Sequence, residues 1–242
     1  MKLLIDTRNG LAGDIMAAGL IGLGASPGIV TGAMSSAAEP MGGARVRHVF
    51  RDGIHRLDVA IPDRPSHMRA GQAREYLGSA FLRPGIGEPW SGLGARVLET
   101  LIEAESHVHA HHPALKGHFH GHEVALHEAS DIIIDIAGMA AGMRELDIRA
   151  VEFIEYVNVG NGHVTFSHGT LEVPTPATRH ILETHDIPWK KSGTGMEMAT
   201  PTGASMLAGC GASRTMAEPE GSRKALAGGT RPLPPIAFFL SK

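Results

Sequence analysis

The amino-acid sequence predicts an α+β protein, a mixed α/β fold in which helices pack on small sheets. Three observations carry this. The chain opens on a short apolar strand that runs into a glycine-rich loop and a helix. Two strand-like segments flank an Asp-Gly turn further on. Several longer stretches carry apolar residues at helical spacing rather than in alternation.

Lys2 to Asp6 reads as a short buried strand, and Thr7 to Gly13 as a glycine-rich loop. Asp14 is placed to cap a helix running to about Leu23, since a short carboxylate accepts from the free N–H groups of a helix start. Strand, loop and capped helix together often make a ligand site, although glycine that merely closes the turn would look the same. A second helix is expected from Gly28 to Ala38. Val46 to Phe50 and Leu57 to Ile61 read as strands around Asp52-Gly53. Pro62 to Pro65 is a break, Arg69 to Phe81 a helix, and Leu82 to Pro89 a loop.

Leu93, Val97, Leu98, Leu101 and Ile102 form one apolar face, which predicts a helix over Leu93 to His112, ended by Pro113. A histidine-rich segment follows this long helix. Asp131 to Leu146 is a second long helix, apolar enough to be buried. Val151 to Val159 reads as a strand that Gly160-Asn161-Gly162 turns into His163 to Phe166 as a hairpin. Helices are expected over Thr175 to Thr184, and from Thr200-Pro201 to Leu207. Ala217 to Leu233 is rich in Gly and Pro and is expected to be mobile, and Ile236 to Leu240 is a last strand. The expected organisation is an N-terminal α+β unit over 1–64 and a helical, metal-handling unit over 65–242, with one continuous domain as the alternative.

Composition narrows the function classes. Hydrophobic residues make up 43% of the 242, enough to fill a core. Net charge is −3 and no basic stripe stands out, which argues against a nucleic-acid partner. No apolar run reaches the roughly 18 residues of a membrane span. The single Cys210 has no internal disulfide partner, and Met1 leads straight into a strand rather than a secretory signal. Both fit a cytoplasmic location.

Histidine is the outstanding feature. Eight of the 15 histidines lie between His107 and His127, too dense to treat each as an isolated structural side chain. On a helix, His107 and His111 share a face, as do His109 and His112. If 118 to 122 is extended, His118, His120 and His122 point the same way. Neutral imidazole suits nickel, zinc, copper or iron. Glu123, Glu128, Asp131 and Asp135 are nearby carboxylates that could bind the metal or orient the imidazoles. Asp131 and Asp135, one turn apart on an apolar helix, need a partner: a cation, an arginine or solvent. The simpler reading of the cluster is a solvated polar loop. With so little cysteine, a structural zinc finger is poorly supported.

Two further segments put hydroxyls at helix starts: Ser167 to Thr178 and Ala199 to Ala204. Such ends favour anions, for instance a phosphate. Ordinary helix capping explains them equally from physics alone. No nucleophile elbow, Walker loop or kinase motif set is present.

At this point the residues resemble a family. Asp6-Thr-Arg-Asn-Gly-Leu-Ala-Gly-Asp-Ile-Met16 is similar to the opening of the LarC-type nickel-insertion proteins. Ala104-Glu-Ser-His-Val-His109, Leu126-His-Glu-Ala129, Ser130-Asp-Ile-Ile-Ile-Asp-Ile136, Ser167-His-Gly-Thr170, Val173-Pro-Thr-Pro-Ala-Thr178, Ala199-Thr-Pro-Thr-Gly-Ala204 and Gly229-Thr-Arg231 follow in the family's order. The family's His-x-His-Glu motif could match His118-Phe-His120 or Leu126-His-Glu128. A histidine run found in relatives near Arg64 to Arg74 is reduced here to His67.

The resemblance implies nickel insertion into pyridinium-3,5-bisthiocarboxylic acid mononucleotide, the step that makes the nickel-pincer cofactor, with hydrolysis of CTP. It implies Ni²⁺ at His109, His127 and Glu128, with His118, His120 and His122 as additional donors. Asp6, Asp14, Asp131 and Asp135 are expected to line the reaction site, and Ser167, His168, Thr200 and Thr202 to contact the substrate's phosphate. CTP with its divalent metal is expected on a further C-terminal domain or on a partner subunit supplying it. A homo-oligomer is expected. The rival readings are a non-catalytic nickel or zinc chaperone or storage protein, and a metal-dependent hydrolase.

Overall fold

The computed structural model describes residues 1–62, 67–111, 124–127, 129–166, 169–218 and 222–242. The first half of the chain forms β1 (Lys2–Ile5), α1 (Gly13–Gly22), α2 (Pro27–Ala38), β2 (Arg45–Arg51), β3 (Ile54–Ala60), β4 (His67–Arg69), α3 (Ala70–Leu82) and α4 (Trp90–His111). Then come β5 (Ala125–His127), α5 (Ala129–Glu145), β6 (Ala150–Ile154), β7 (Val157–Asn158), β8 (His163–Phe166) and β9 (Gly169–Glu172). The chain closes with α6 (Pro176–Thr184), β10 (Trp189–Lys190), α7 (Pro201–Gly209), β11 (Ser213–Thr215), β12 (Arg223–Ala227) and β13 (Ile236–Ser241). The class is α+β, as the sequence predicts.

The main sheet has seven strands in the order β11-β6-β1-β13-β12-β3-β2, with three two-stranded pairs beside it. β1 lies parallel to β6 and antiparallel to β13, which places the first and last strands of the chain side by side. Leu3, Ile5, Phe153 and Phe238 are buried in the main core, where the sheet meets the helices. α1 approaches the sheet closely: a Cβ on Gly19 would fall 2.6 Å from the Phe238 ring. α5 is nearly all apolar, with Ile132, Ile133, Ile134, Ile136 and Met139 buried, and its Gly138 and Gly142 let Met34 of α2 and Leu20 of α1 come close. This packing brings the start of α5 to the start of α1. At about 25 cal/mol per Å² of apolar surface, burying such helix faces is the main stabilising term.

The Asp52-Gly53 turn is as expected. Both residues have positive φ, 54° and 76°, and join β2 to β3 in register. A two-residue turn of this hand matches the strand twist.

Several expectations change. Asp14 is not the N-cap of α1. Ala12 is, in an extended conformation, and Asp14 sits in the first turn. Val151 to Val159 is not one strand, because Glu155 at φ 54° breaks it into β6 and β7. Gly160 to Gly162 do not close a hairpin with β8. β7 instead pairs in parallel with β10, Gly160 bridges Glu197, and β8 pairs with β9. Within Ala217 to Leu233, Arg223 to Ala227 form β12, an interior strand bonded to β13 and β3. Among the described residues, no helix is long and apolar enough to cross a membrane.

Candidate active site

Four helices begin on one cavity of about 750 Å³. α1 contributes Gly13 and Asp14, α5 contributes Ser130 and Asp131, α6 contributes Pro176 and Ala177, and α7 contributes Pro201 and Thr202. Each start places the positive end of its helix dipole at the cavity. The volume is in the range of small-molecule sites.

Backbone contacts hold two of these starts together. Leu11 N–H donates to the Met198 carbonyl at 3.0 Å, and Thr200 N–H donates to the Leu11 carbonyl at 3.1 Å. The Thr200 hydroxyl caps α7 by accepting from Gly203 N–H at 3.1 Å. A Cβ on Gly203 would fall 2.6 Å from the Leu11 carbonyl carbon, so the glycine is what lets the loops touch. The sequence groups Thr200 and Thr202 as phosphate contacts, and both line the cavity.

The cavity carries a concentration of carboxylates. Asp14, Asp131, Asp135, Glu105 and Glu197 line it. Burial raises the pKa of Asp14, and the Asp131 charge adds to this, while N–H groups at the α1 start and Arg231 act in the opposite direction. Asp135 is raised well above the ordinary value, first by burial and then by Asp14 and Asp131. Its side chain lies against Gly13, where a Cβ would fall 2.7 Å from its Cγ. These acids repel one another along the cavity wall, an arrangement that positive charge in the cavity would relieve.

Glu105, near the end of α4, is pushed up by burial to about 7. Its raised pKa has a definite consequence. Between the unfolded value near 4.5 and about 7, the folded protein keeps a proton that the unfolded chain has released. Stability therefore falls as pH rises through that window and stays lower above it. Glu105→Gln is expected to remove this part of the slope, measured as urea stability from pH 5 to 8. An unchanged slope in the variant would show that another group causes it.

The histidines divide. His109 is buried, 3% exposed, with Nε2 3.7 Å from Glu105, so it stands behind a cavity-lining residue. His127 is the register partner of His67 in the β4–β5 ladder, two residues before α5 begins. His118, His120, His122, Glu128, Ser167 and His168 lie outside the described residues. Val164, Thr165 and Leu171 of the β8–β9 hairpin do line the cavity. Asp6 is not among the lining residues. Burial pushes its carboxyl up, but Arg8, bonded through Nε at 2.8 Å and Nη2 at 2.8 Å, holds it below its ordinary value. Among the described residues, no three of His, Cys, Asp and Glu are grouped closely enough to hold a metal ion.

Sequence reasoning did not single out Glu105, Ser130, Glu197 or Arg231. Two signals were available. Glu105 is one helical turn before His109, and Arg231 ends the Gly-Thr-Arg segment. Ser130 is 2% exposed and its hydroxyl has no hydrogen-bond partner among the described residues.

Comparisons with known proteins identify the family. A family model described as nickel insertion protein matches residues 3–237. A relative from Nocardioides sp., named pyridinium-3,5-bisthiocarboxylic acid mononucleotide nickel insertion protein, is 34% identical over 205 residues, covering 84% of this chain and 49% of its own. Proteins of the same name from Thermotoga petrophila and Thermotoga sp. are 33% and 30% identical, each covering 85% of this chain and 51% and 52% of their own. The chain thus spans about half the length of these relatives. No solved structure matches it. A match over nearly the whole chain places this protein in the nickel insertion protein family.

Proposed function

We propose that this chain is the nickel- and substrate-holding part of an enzyme that inserts nickel into pyridinium-3,5-bisthiocarboxylic acid mononucleotide. The single observation that carries this reading is the two-sided cavity. Asp14, Asp131 and Asp135 make one side of it attractive to a cation, and the α6 and α7 starts make the other attractive to an anion. Nickel and a phosphorylated, thiocarboxylated pyridinium need both.

In this reading Ni²⁺ is a substrate. His109, His127 and Glu128, with His118, His120 and His122, gather it, and the negative charge of the aspartates draws it toward the nucleotide. The two thiocarboxylate sulfurs then bind nickel, and the ring carbon between them exchanges its proton for a carbon–nickel bond. A cavity carboxylate takes that proton. CTP with its metal belongs to a further C-terminal part, on the same polypeptide or on a partner.

The histidine-rich stretch favours one other reading, a nickel or zinc chaperone. Supplying the purified chain with Ni²⁺, the dithio-nucleotide and CTP, with and without a CTP-binding polypeptide, separates the two. The expected result is nickel-pincer product, detected by mass spectrometry, in the presence of that polypeptide. Metal binding without product in both arms would leave the chaperone.

A further inference from the structure

Among the described residues that line the cavity, Arg231 is the one arginine, set among several carboxylates. Arg231 Nη1 donates to the Glu197 backbone carbonyl at 3.1 Å and lies 3.6 Å from the Glu197 carboxylate. Glu197 is buried, 7% exposed, and its backbone is bridged to Gly160. One nitrogen of Arg231 is therefore anchored to a fixed strut. Its Nε and Nη2 have no hydrogen-bond partner among the described residues, and half of the side chain is exposed, toward the cavity it lines.

An anchored guanidinium with an open edge is suited to an oxyanion. The planar fork of arginine grips phosphate through two parallel N–H bonds, which an ammonium does not reproduce. The surroundings extend that grip. Thr202 at the α7 start, Ala177 at the α6 start and Thr230 line the same cavity, as does Ser130, whose buried hydroxyl has no hydrogen-bond partner among the described residues. Asp14, Asp131 and Asp135 repel a phosphate, so an anion is driven to the arginine and the cationic parts of a ligand toward the acids.

We infer that Arg231, braced by Glu197, is the phosphate clamp of this cavity and sets its preference for a mononucleotide over the corresponding nucleoside. The inference rests on the substrate proposed above and adds the group that recognises its phosphate. The plainer alternative is that Arg231 serves only to neutralise Glu197 and Asp14.

The test uses the sulfur-free dicarboxylate form of the pyridinium mononucleotide and the same compound without its phosphate, titrated calorimetrically into the full chain. Wild type is expected to bind the phosphorylated ligand about 10- to 100-fold more tightly, the size of a charged hydrogen-bond pair. Arg231→Ala is expected to lose the preference and bind both alike. Arg231→Lys is expected to keep only part of the preference. Arg231→Gln replaces the alanine variant if thermal unfolding shows that the latter does not fold. A full wild-type preference in Arg231→Ala, or in its glutamine substitute, overturns the clamp and leaves the substrate reading standing. A wild-type chain that binds neither ligand overturns the substrate reading and the clamp with it.

Discussion

Gly10→Ala is expected to destabilise the protein by about 3 kcal/mol, the sum of a left-handed backbone cost and an overpacking cost. Gly10 sits at φ 87° in the loop between β1 and α1. A Cβ there would fall 2.5 Å from the Met198 carbonyl carbon, and backbone cannot rotate aside as a side chain can. Gly53 provides the control. Its φ is 76°, but nothing lies within 4 Å of a Cβ built on it. Gly53→Ala should therefore cost only the conformational part, about 1 kcal/mol. Urea unfolding of both variants checks the difference. Equal losses would mean that the loop contact contributes nothing. The larger loss at Gly10 should also reach the site, because the same contact joins the starts of α1 and α7, and with them Asp14 and Thr202.

Asp135→Asn is expected to move stability and function in opposite directions. The Asp135 carboxyl is held well above its ordinary pKa by burial and by the neighbouring Asp14 and Asp131. A raised acid is protonated in the folded chain at pH values where the unfolded chain has already lost that proton. Stability therefore falls as pH rises from the unfolded value through the folded one. Asparagine keeps the shape and removes the charge. The metal-free variant should melt a few degrees higher at pH 7, the scale of about 1 kcal/mol in a protein of this length. Nickel affinity should drop about 10- to 100-fold, the usual loss when a metal site is disturbed. Calorimetric titration with Ni²⁺ and thermal melts at pH 5 and 8 provide the measurements. An unchanged nickel affinity would remove Asp135 from the site. A stability gain with lost binding would mark the acid cluster as built for a ligand rather than for the fold.

Much of the fold was legible locally. The first strand, the α1 and α2 spans, the Asp52-Gly53 hairpin and the buried α5 all follow from short-range patterns, and the structure has each of them. β12 was not legible. Arg223 to Ala227 is flanked by glycine and proline, and its place inside the sheet depends on β13 and β3, which are remote or late in the chain. The Gly160 to Gly162 turn misled for the same kind of reason. Its glycines serve a close approach to Met196 and Gly195 rather than a two-strand hairpin.

The site divides along the same line. Asp131 and Asp135 are a recognisable pair because they share a helix face, and Asp14 stands out in its glycine-rich loop. Their meeting is a tertiary result of α5 packing on α1 through small residues. Glu105 and Arg231 come from a helix end and a late loop, and no periodicity links positions so far apart. The sequence by itself determined the long helices, the first strand, the Asp52-Gly53 hairpin, the ordered motifs and hence the family. The tertiary structure alone decided that four helix starts, a carboxylate cluster and one arginine share a cavity, because long-range packing sets which chain segments become neighbours.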